Sequence, residues 1–389
     1  TDYGLLSTDY GQLHQRYRPG VMSQHPPTTR AINFSAGPSI LPLPVLEEVQ
    51  AEIVDYGGSG MSMIEMSHRS APYESVHRGA ITLIRELFAV PAEFEVLFVQ
   101  GGATMQFGML PMNLLTGSSR GAYVNTGAWA TKAFDDAAHH GDVYEAWSGR
   151  DIGYRRVPEP TELTLRDDTR YVHVTSNETI GGIQYRVWPD TDVPLAADMS
   201  SDLLSRRIPW HRFDVVYGGV QKNLGPAGLA LVVVRRDTLD HTRRSLAPYL
   251  RYDAHASRVS MYNTPPVFPI YVMEKVLRWM RDRGGLIAME AAAKARAGLL
   301  YRTIDESDGF YVNPVEVASR SHMNVVFRLS DQGLEPAFLA AAAEQGLVGL
   351  KGHRSVGGCR ASIYNAMPMA GVEALRAFMV DFQDTVGRR

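Results

Sequence analysis

A chain of 389 residues, 45% of them hydrophobic, can bury one large core or two unequal ones, and its length favours two. The 39 Lys and Arg against 42 Asp and Glu leave a formal charge of -3 with no long basic run, which argues against a nucleic-acid partner. A single cysteine, Cys359, excludes an intramolecular disulfide and a multi-cysteine metal site, so no metal is expected and a reducing cytoplasm fits.

Residues 1–30 are polar, repeat Thr-Asp-Tyr-Gly at 1–4 and 8–11, and carry Pro19, Pro26 and Pro27. This composition predicts an N-terminal extension with no core of its own, an arm docked on the body being the alternative. It lacks the apolar segment of a signal peptide. From Ile32 onward, short apolar runs alternate with amphipathic stretches, the pattern of an α/β fold with a mostly parallel sheet. Helices are expected over Val45–Tyr56 and Val76–Phe88. Buried strands are expected over Glu95–Val99, Gly121–Asn125, Tyr171–Thr175, Val193–Ala197, Phe213–Tyr217 and Gly228–Arg235. The last of these holds the longest strongly apolar stretch, far too short to span a bilayer, so no membrane partner is expected. After residues 264–269 the texture changes to long helices, Tyr271–Arg283 and Leu286–Ile304. A strand (His322–Leu329), a helix (Leu334–Glu344), a strand (Arg360–Tyr364) and a last helix (Gly371–Thr385) then suit a smaller α/β domain.

Lys222 lies among glycines in Tyr217-Gly-Gly-Val-Gln-Lys222-Asn-Leu-Gly-Pro-Ala-Gly228, directly between two expected strands. A lysine becomes a nucleophile when desolvation or a neighbouring charge lowers its pKa, and a short loop at the edge of a core supplies both. Composition alone favours the alternative, an exposed turn lysine. Asp198 ends the preceding strand, at the edge where open α/β sheets place ligands. Such a carboxylate can hold a proton on a pyridine nitrogen, or it can cap the next helix. Phe98-Val-Gln-Gly101-Gly102-Ala103-Thr104 runs from a strand through glycines into a helix-compatible segment, offering free amides to a phosphate, although such turns are often only structural. Two cationic clusters, His68-Arg69 and His353-Arg354 with Arg360, either grip carboxylate or phosphate or form a solvated surface; their glycine-rich settings favour ligands.

Taken together, these segments resemble the phosphoserine aminotransferases, a branch of the class V aminotransferases among the fold-type I pyridoxal-phosphate enzymes. The resemblance runs from Asn33-Phe-Ser-Ala-Gly-Pro38 to the last helix. It includes Glu65-Met-Ser-His-Arg-Ser70, Asn125-Thr-Gly-Ala-Trp129, Ser176-Asn-Glu-Thr179, Gln221-Lys222-Asn-Leu-Gly-Pro, Tyr262-Asn-Thr-Pro-Pro266 and Gly352-His-Arg-Ser-Val-Gly-Gly-Cys-Arg360. It implies a large cofactor-binding domain over 43–285, a small domain from 31–42 and 286–389, and a homodimer with its sites at the interface. By the same likeness Lys222 is the Schiff-base lysine for pyridoxal 5'-phosphate and Asp198 pairs with the ring nitrogen. Trp129 stacks on the ring, Thr179 and Gln221 bond around it, and Ala103 and Thr104 bind the phosphate with the partner's Asn263 and Thr264. Arg360 takes the substrate α-carboxylate, while His68, Arg69, His353 and Arg354 surround the distal anion. The expected reaction moves an amino group reversibly between glutamate and 3-phosphohydroxypyruvate, giving phosphoserine in serine biosynthesis, with 4-phosphooxy-threonine of pyridoxine biosynthesis as a further substrate.

Two positions depart from some relatives: Thr104 stands where they carry arginine, and Ala36 where they carry serine. Two rival readings remain. A class V lyase or desulfurase needs a mobile cysteine, but Cys359, between Gly358 and Arg360, reads as a buried structural thiol. A regulatory protein that binds the cofactor without turnover would not need both Lys222 and Asp198.

Overall fold

Seven strands form the central sheet of the computed structural model, which describes residues 30–240 and 245–386. They are β1 (Phe94–Gln100), β2 (Arg120–Asn125), β3 (Val143–Ser148), β4 (Thr169–Thr175), β5 (Leu195–Asp198), β6 (Phe213–Gly219) and β7 (Leu229–Arg235), in the spatial order β1-β7-β6-β5-β4-β2-β3. Every pairing is parallel except the two made by β7, which runs against both β1 and β6. The fold is therefore α/β with a mostly parallel sheet, as expected. Residues 1–29, which hold nearly all of the expected extension, lie outside the described residues.

The unbroken apolar sequence of β7 follows from cover on both faces. Leu229, Leu231 and Val233 point into a core with α1 (Leu43–Glu52), α2 (Ala71–Leu87) and α5 (Val267–Asp282). Val232 and Val234 point the other way, toward α3 (Gly102–Leu114) and α4 (Ala128–Ala138). Each such side chain, withdrawn fully from water, stabilises the fold by about 1.5–3 kcal/mol. Lys275 of α5, only 1% exposed, meets Glu48 and Glu52 of α1 at 2.6 and 2.7 Å, so its buried charge is compensated twice.

Around the large sheet, α4 and β3 were not expected, and the helices α1, α2 and α5 differ in their bounds, α5 starting at Val267 rather than Tyr271. α2 starts five residues before Val76, because Pro72 occupies the first turn, where its missing N–H costs nothing. α1 stops at Glu52 rather than Tyr56; the chain then makes a single tight turn, Tyr56–Gly58, in which Gly57 has φ +60°.

Downstream, α6 (Gly285–Asp305), α7 (Glu335–Glu344) and α8 (Met369–Val386) accompany a three-stranded antiparallel sheet: β8 (Tyr311–Val312), β9 (Asn324–Leu329) and β10 (Cys359–Ser362). Their apolar cluster includes Phe34 and Ile40 from the start of the body, and Ile32–Asn33 pairs in parallel with Leu347–Val348. Where these elements meet the large sheet the contact is polar. Asn177 donates to Asn324 at 2.8 Å and accepts from the Ser321 hydroxyl at 2.5 Å, and Asn365 donates to the Leu204 carbonyl at 2.9 Å. Among the described residues, no helix is long and apolar enough to cross a membrane.

This topology fixes where chemistry can happen. β1, β2, β4, β5 and β6 all end at one edge of the sheet, and β7 begins there. The amide of Gly101, just after β1, donates to the carbonyl of Gly228, just before β7, at 3.2 Å.

Candidate active site

β6 and β7 are antiparallel neighbours, so only residues 220–228 connect them, and this connection carries Lys222. The amides of Leu224 and Gly225 both donate to the Val220 carbonyl, at 3.1 and 3.0 Å, winding the connection into a compact turn. A Cβ on Gly219 would lie 2.5 Å from Oε1 of Gln221, so a side chain there would displace that amide. The turn leaves Lys222 only 9% exposed, with Nζ donating to Thr179 Oγ1 at 2.6 Å and 5.7 Å from the centroid of the Trp129 ring. Burial disfavours the charged ammonium and lowers its pKa to about 8; the charge of Arg360 acts in the same direction and that of Asp198 opposes it.

Asp198 ends β5, and its Oδ1 accepts from the Ser200 amide at 2.8 Å and from the Ser200 hydroxyl. Burial raises its pKa, while the Ser200 bonds and the charge of Lys222 pull it down. The carboxylate thus organises the turn that follows β5, where there is no helix to cap, and also faces the site.

Thr179 opens the turn of a small hairpin in which Asn177–Glu178 pairs with Ile183–Gln184. Trp129 lies in the first turn of α4, whose N-cap position is Gly127 and offers no side chain. The missing cap comes from Glu178, 1% exposed: its two oxygens accept the amides of Trp129 at 3.2 Å and Ala130 at 2.9 Å. Burial pushes this carboxyl up to about 7 against those two bonds. Sequence reasoning passed over Glu178, although it stands in the segment that contains Thr179.

The turn after β1 places Gly101 at φ +96°, where a Cβ would lie 2.7 Å from that of Met105, so only glycine fits. It opens α3, whose first amides, including those of Ala103 and Thr104, have no partner within the helix.

These pieces line one cavity of about 440 Å³: Ala103, Thr104, Trp129, Thr179, Asp198, Gln221, Lys222, His353 and Arg360 all face it. Arg360, on β10, donates to the Thr179 carbonyl at 3.3 Å, and burial lowers its pKa. His353 is held by Ser355 at 2.7 Å, and burial together with the charges of Arg360 and Arg354 lowers its pKa. A neighbouring cavity of about 550 Å³ shares Ile180, His353 and Arg360 with the first. His68, Arg69, Arg354, Asn263 and Thr264 are not among the residues lining either cavity in this single chain.

The donor set suits a heteroaromatic aldehyde phosphate. It offers a partly uncharged amine, a carboxylate for a ring nitrogen, an indole face and a helix N-terminus for the anion. Gln221 Oε1, Thr175 Oγ1, Trp129 Nε1 and Arg360 Nε, all on lining residues, are buried without a hydrogen-bond partner among the described residues, so polar capacity remains for a ligand.

Residues 31–375 match the aminotransferase class-V family. The phosphoserine aminotransferase of Lysinibacillus sphaericus is 50% identical over 357 residues, 92% of this chain and 99% of that protein. The phosphoserine aminotransferase of Laribacter hongkongensis is 50% identical over 350 residues, 90% of this chain and 98% of the relative. Among solved structures, phosphoserine aminotransferase from Bacillus circulans subsp. alkalophilus superimposes with a TM-score of 0.90 at 49% identity, covering 92% of this chain and 99% of the other. The pyridoxal-phosphate-bound phosphoserine aminotransferase of Trichomonas vaginalis gives 0.86 at 37% identity, covering 90% and 100%.

Proposed function

The chain belongs to the class-V aminotransferase family, and from that premise we propose that it is a phosphoserine aminotransferase. It transfers an amino group reversibly between glutamate and 3-phosphohydroxypyruvate, yielding O-phosphoserine and 2-oxoglutarate. The observation that carries the reading is the convergence of Lys222, Asp198 and the Gly101–Gly102 turn on one cavity, with Arg360 on its far wall.

Bound there, pyridoxal phosphate supplies an electron sink for negative charge at the substrate α-carbon. Lys222 removes the α-proton and returns it; a pKa near 8 leaves a useful fraction of its amine uncharged at neutral pH, and Thr179 Oγ1 orients that amine. Asp198 keeps the proton on the ring nitrogen. Trp129 covers the ring, Gln221 bonds at its edge, and the amides of Ala103 and Thr104 hold the phosphate. Thr104 has no charge to add, so the helix N-terminus carries that task without the arginine of some relatives.

Arg360 binds the α-carboxylate that all these substrates share. Glutamate and phosphoserine also share a distal anion; His353 faces its pocket, and we assign Arg354, which lines neither cavity in the single chain, to the rim beside it. We assign the other side to a second copy of the chain, which brings His68 and Arg69 to the distal anion and Asn263 and Thr264 to the cofactor phosphate. The large exposed side chains of Val54, Met61 and Ile64, in the stretch leading to His68, support an apolar contact there.

The test is a set of single half-reactions on cofactor-loaded protein, followed by the visible absorbance of the bound cofactor. Phosphoserine and glutamate, added singly, should convert it, while serine should be slow and Lys222→Ala inert. Equal conversion by serine and phosphoserine would refute the distal-anion pocket.

A further inference from the structure

Two residues touch the Lys222 amine from different parts of the fold: Thr179, from the turn after the Asn177–Glu178 strand, and Trp129, from the start of α4. Locally, the Asn125 side chain accepts from the Gly127 amide at 3.3 Å and from the Thr131 hydroxyl at 3.0 Å, which ties down the start of the helix but not the amides of Trp129 and Ala130. With glycine at the N-cap and no capping side chain, those two amides take an acceptor from elsewhere. Glu178 is that acceptor. One carboxylate oxygen takes the Trp129 amide and the other takes the Ala130 amide, so the bidentate grip defines a direction as well as a distance. The contact leaves no room for adjustment: a Cβ on Gly127 would lie 2.8 Å from the carboxyl carbon of Glu178.

We propose that Glu178 is a positioning residue for the cofactor, acting through Trp129: its carboxylate locks the start of α4 to the segment bearing Thr179, so that indole face and lysine amine are presented as one rigid unit. The proposal rests on the reading that Trp129 covers the cofactor ring. It gives a buried acidic side chain that touches neither cofactor nor substrate a defined task, and it accounts for a glycine at position 127 where a serine or aspartate would cap the helix locally.

Glutamine at 178 keeps one acceptor oxygen but turns an NH2 group toward the second amide, so Glu178→Gln breaks half of the grip while preserving size. Glu178→Asp withdraws the carboxylate from the two amides by one methylene, keeps its charge, and serves if Glu178→Gln does not fold. The measurement is the dissociation constant of pyridoxal phosphate for the full-length apoprotein, in the wild type, Glu178→Gln, Trp129→Phe and the double variant. Each single change should weaken binding by about tenfold, the scale of one charge-assisted hydrogen bond. The double variant should bind less weakly than the two single losses multiplied together, because the phenyl ring that remains offers a smaller face for Glu178 to position. Independent losses that multiply in the double variant would overturn the role of Glu178 while leaving the cofactor reading intact. No loss in Trp129→Phe itself would overturn the reading of Trp129, and this inference with it. A helix cap of purely structural importance would lower thermal stability and multiply with Trp129→Phe, so the coupling separates the two roles.

Discussion

The hydroxyl of Ser39 donates to the main-chain carbonyl of Lys222, a residue 183 positions away, and the Ser39 amide donates to the Gln221 carbonyl at 3.0 Å. The segment around Ser39 otherwise belongs with the small sheet: Phe34 lies in its core and accepts from the Ser362 amide at 3.1 Å. Through this segment the strand that carries Arg360 and the turn that carries Lys222 share a fixed frame.

Removing one of the two bonds should loosen that frame without breaking it. Ser39→Ala is expected to lower the unfolding free energy by about 1 kcal/mol, the usual net worth of such a bond. A denaturant titration of variant against wild type checks it, and an unchanged midpoint would show that the hydroxyl bond contributes nothing to stability.

The pKa of Lys222 predicts how the apoprotein captures its cofactor. Only the uncharged amine attacks an aldehyde, so the capture rate should climb with pH and level off near 8, where a free lysine would keep climbing toward its ordinary value of 10.5. Arg360 lowers this pKa and Asp198 raises it. Arg360→Ala should therefore move the plateau to higher pH, and Asp198→Asn to lower pH. Stopped-flow absorbance of pyridoxal phosphate binding over pH 6–10 reads all three, and shifts in the opposite directions would contradict the electrostatics described here.

Arg360 and Arg354 should separate in their effects. Arg360→Ala removes a partner that every amino acid uses, so KM for glutamate, phosphoserine and alanine should all rise, by about thirtyfold or more for a buried charged contact. Arg354→Ala should weaken only the substrates with a distal anion, by about tenfold. Steady-state kinetics with the three amino donors decide the matter; a loss with alanine in Arg354→Ala would place that side chain elsewhere.

Cys359 is 2% exposed within β10, and burial pushes its thiol up to about 12, so at neutral pH it carries no nucleophilic thiolate. Cys359→Ser should keep amino transfer close to wild type while costing about 1–3 kcal/mol of stability, because a hydroxyl is less at home in an apolar strand. Loss of turnover in a well-folded variant would revive a cysteine-dependent lyase.

The sequence disclosed Lys222 and Asp198 because their signals are local: a lysine between glycines, an aspartate closing an apolar strand. Trp129, Thr179 and Gln221 carried no signal of their own and were reached only through resemblance. Glu178 was missed for a physical reason, since its partners are amides, which every residue has, and only tertiary folding brings them near. The available hint was indirect: a glycine at position 127 that leaves a helix start uncapped. α4 escaped notice because its inward stripe is alanine, Ala130, Ala133 and Ala137, too weakly hydrophobic to mark a period. β3 escaped because it is an edge strand whose buried positions, Tyr144 and Ala146, alternate with half-exposed Glu145 and Trp147.

The parallel pairing of Ile32–Asn33 with Leu347–Val348 bears on how the protein is made. During synthesis Ile32 leaves the ribosome roughly three hundred residues ahead of its partner strand, and Arg360 emerges later still. The large sheet can assemble while the chain is growing, but until translation is almost complete the segment over Lys222 has only its bonds to Gln221 and Lys222 and lacks its strand partner. A nascent chain stalled before Leu347 would expose the lysine turn to water and to stray aldehydes. Catalytic competence therefore arrives as one of the last events of translation.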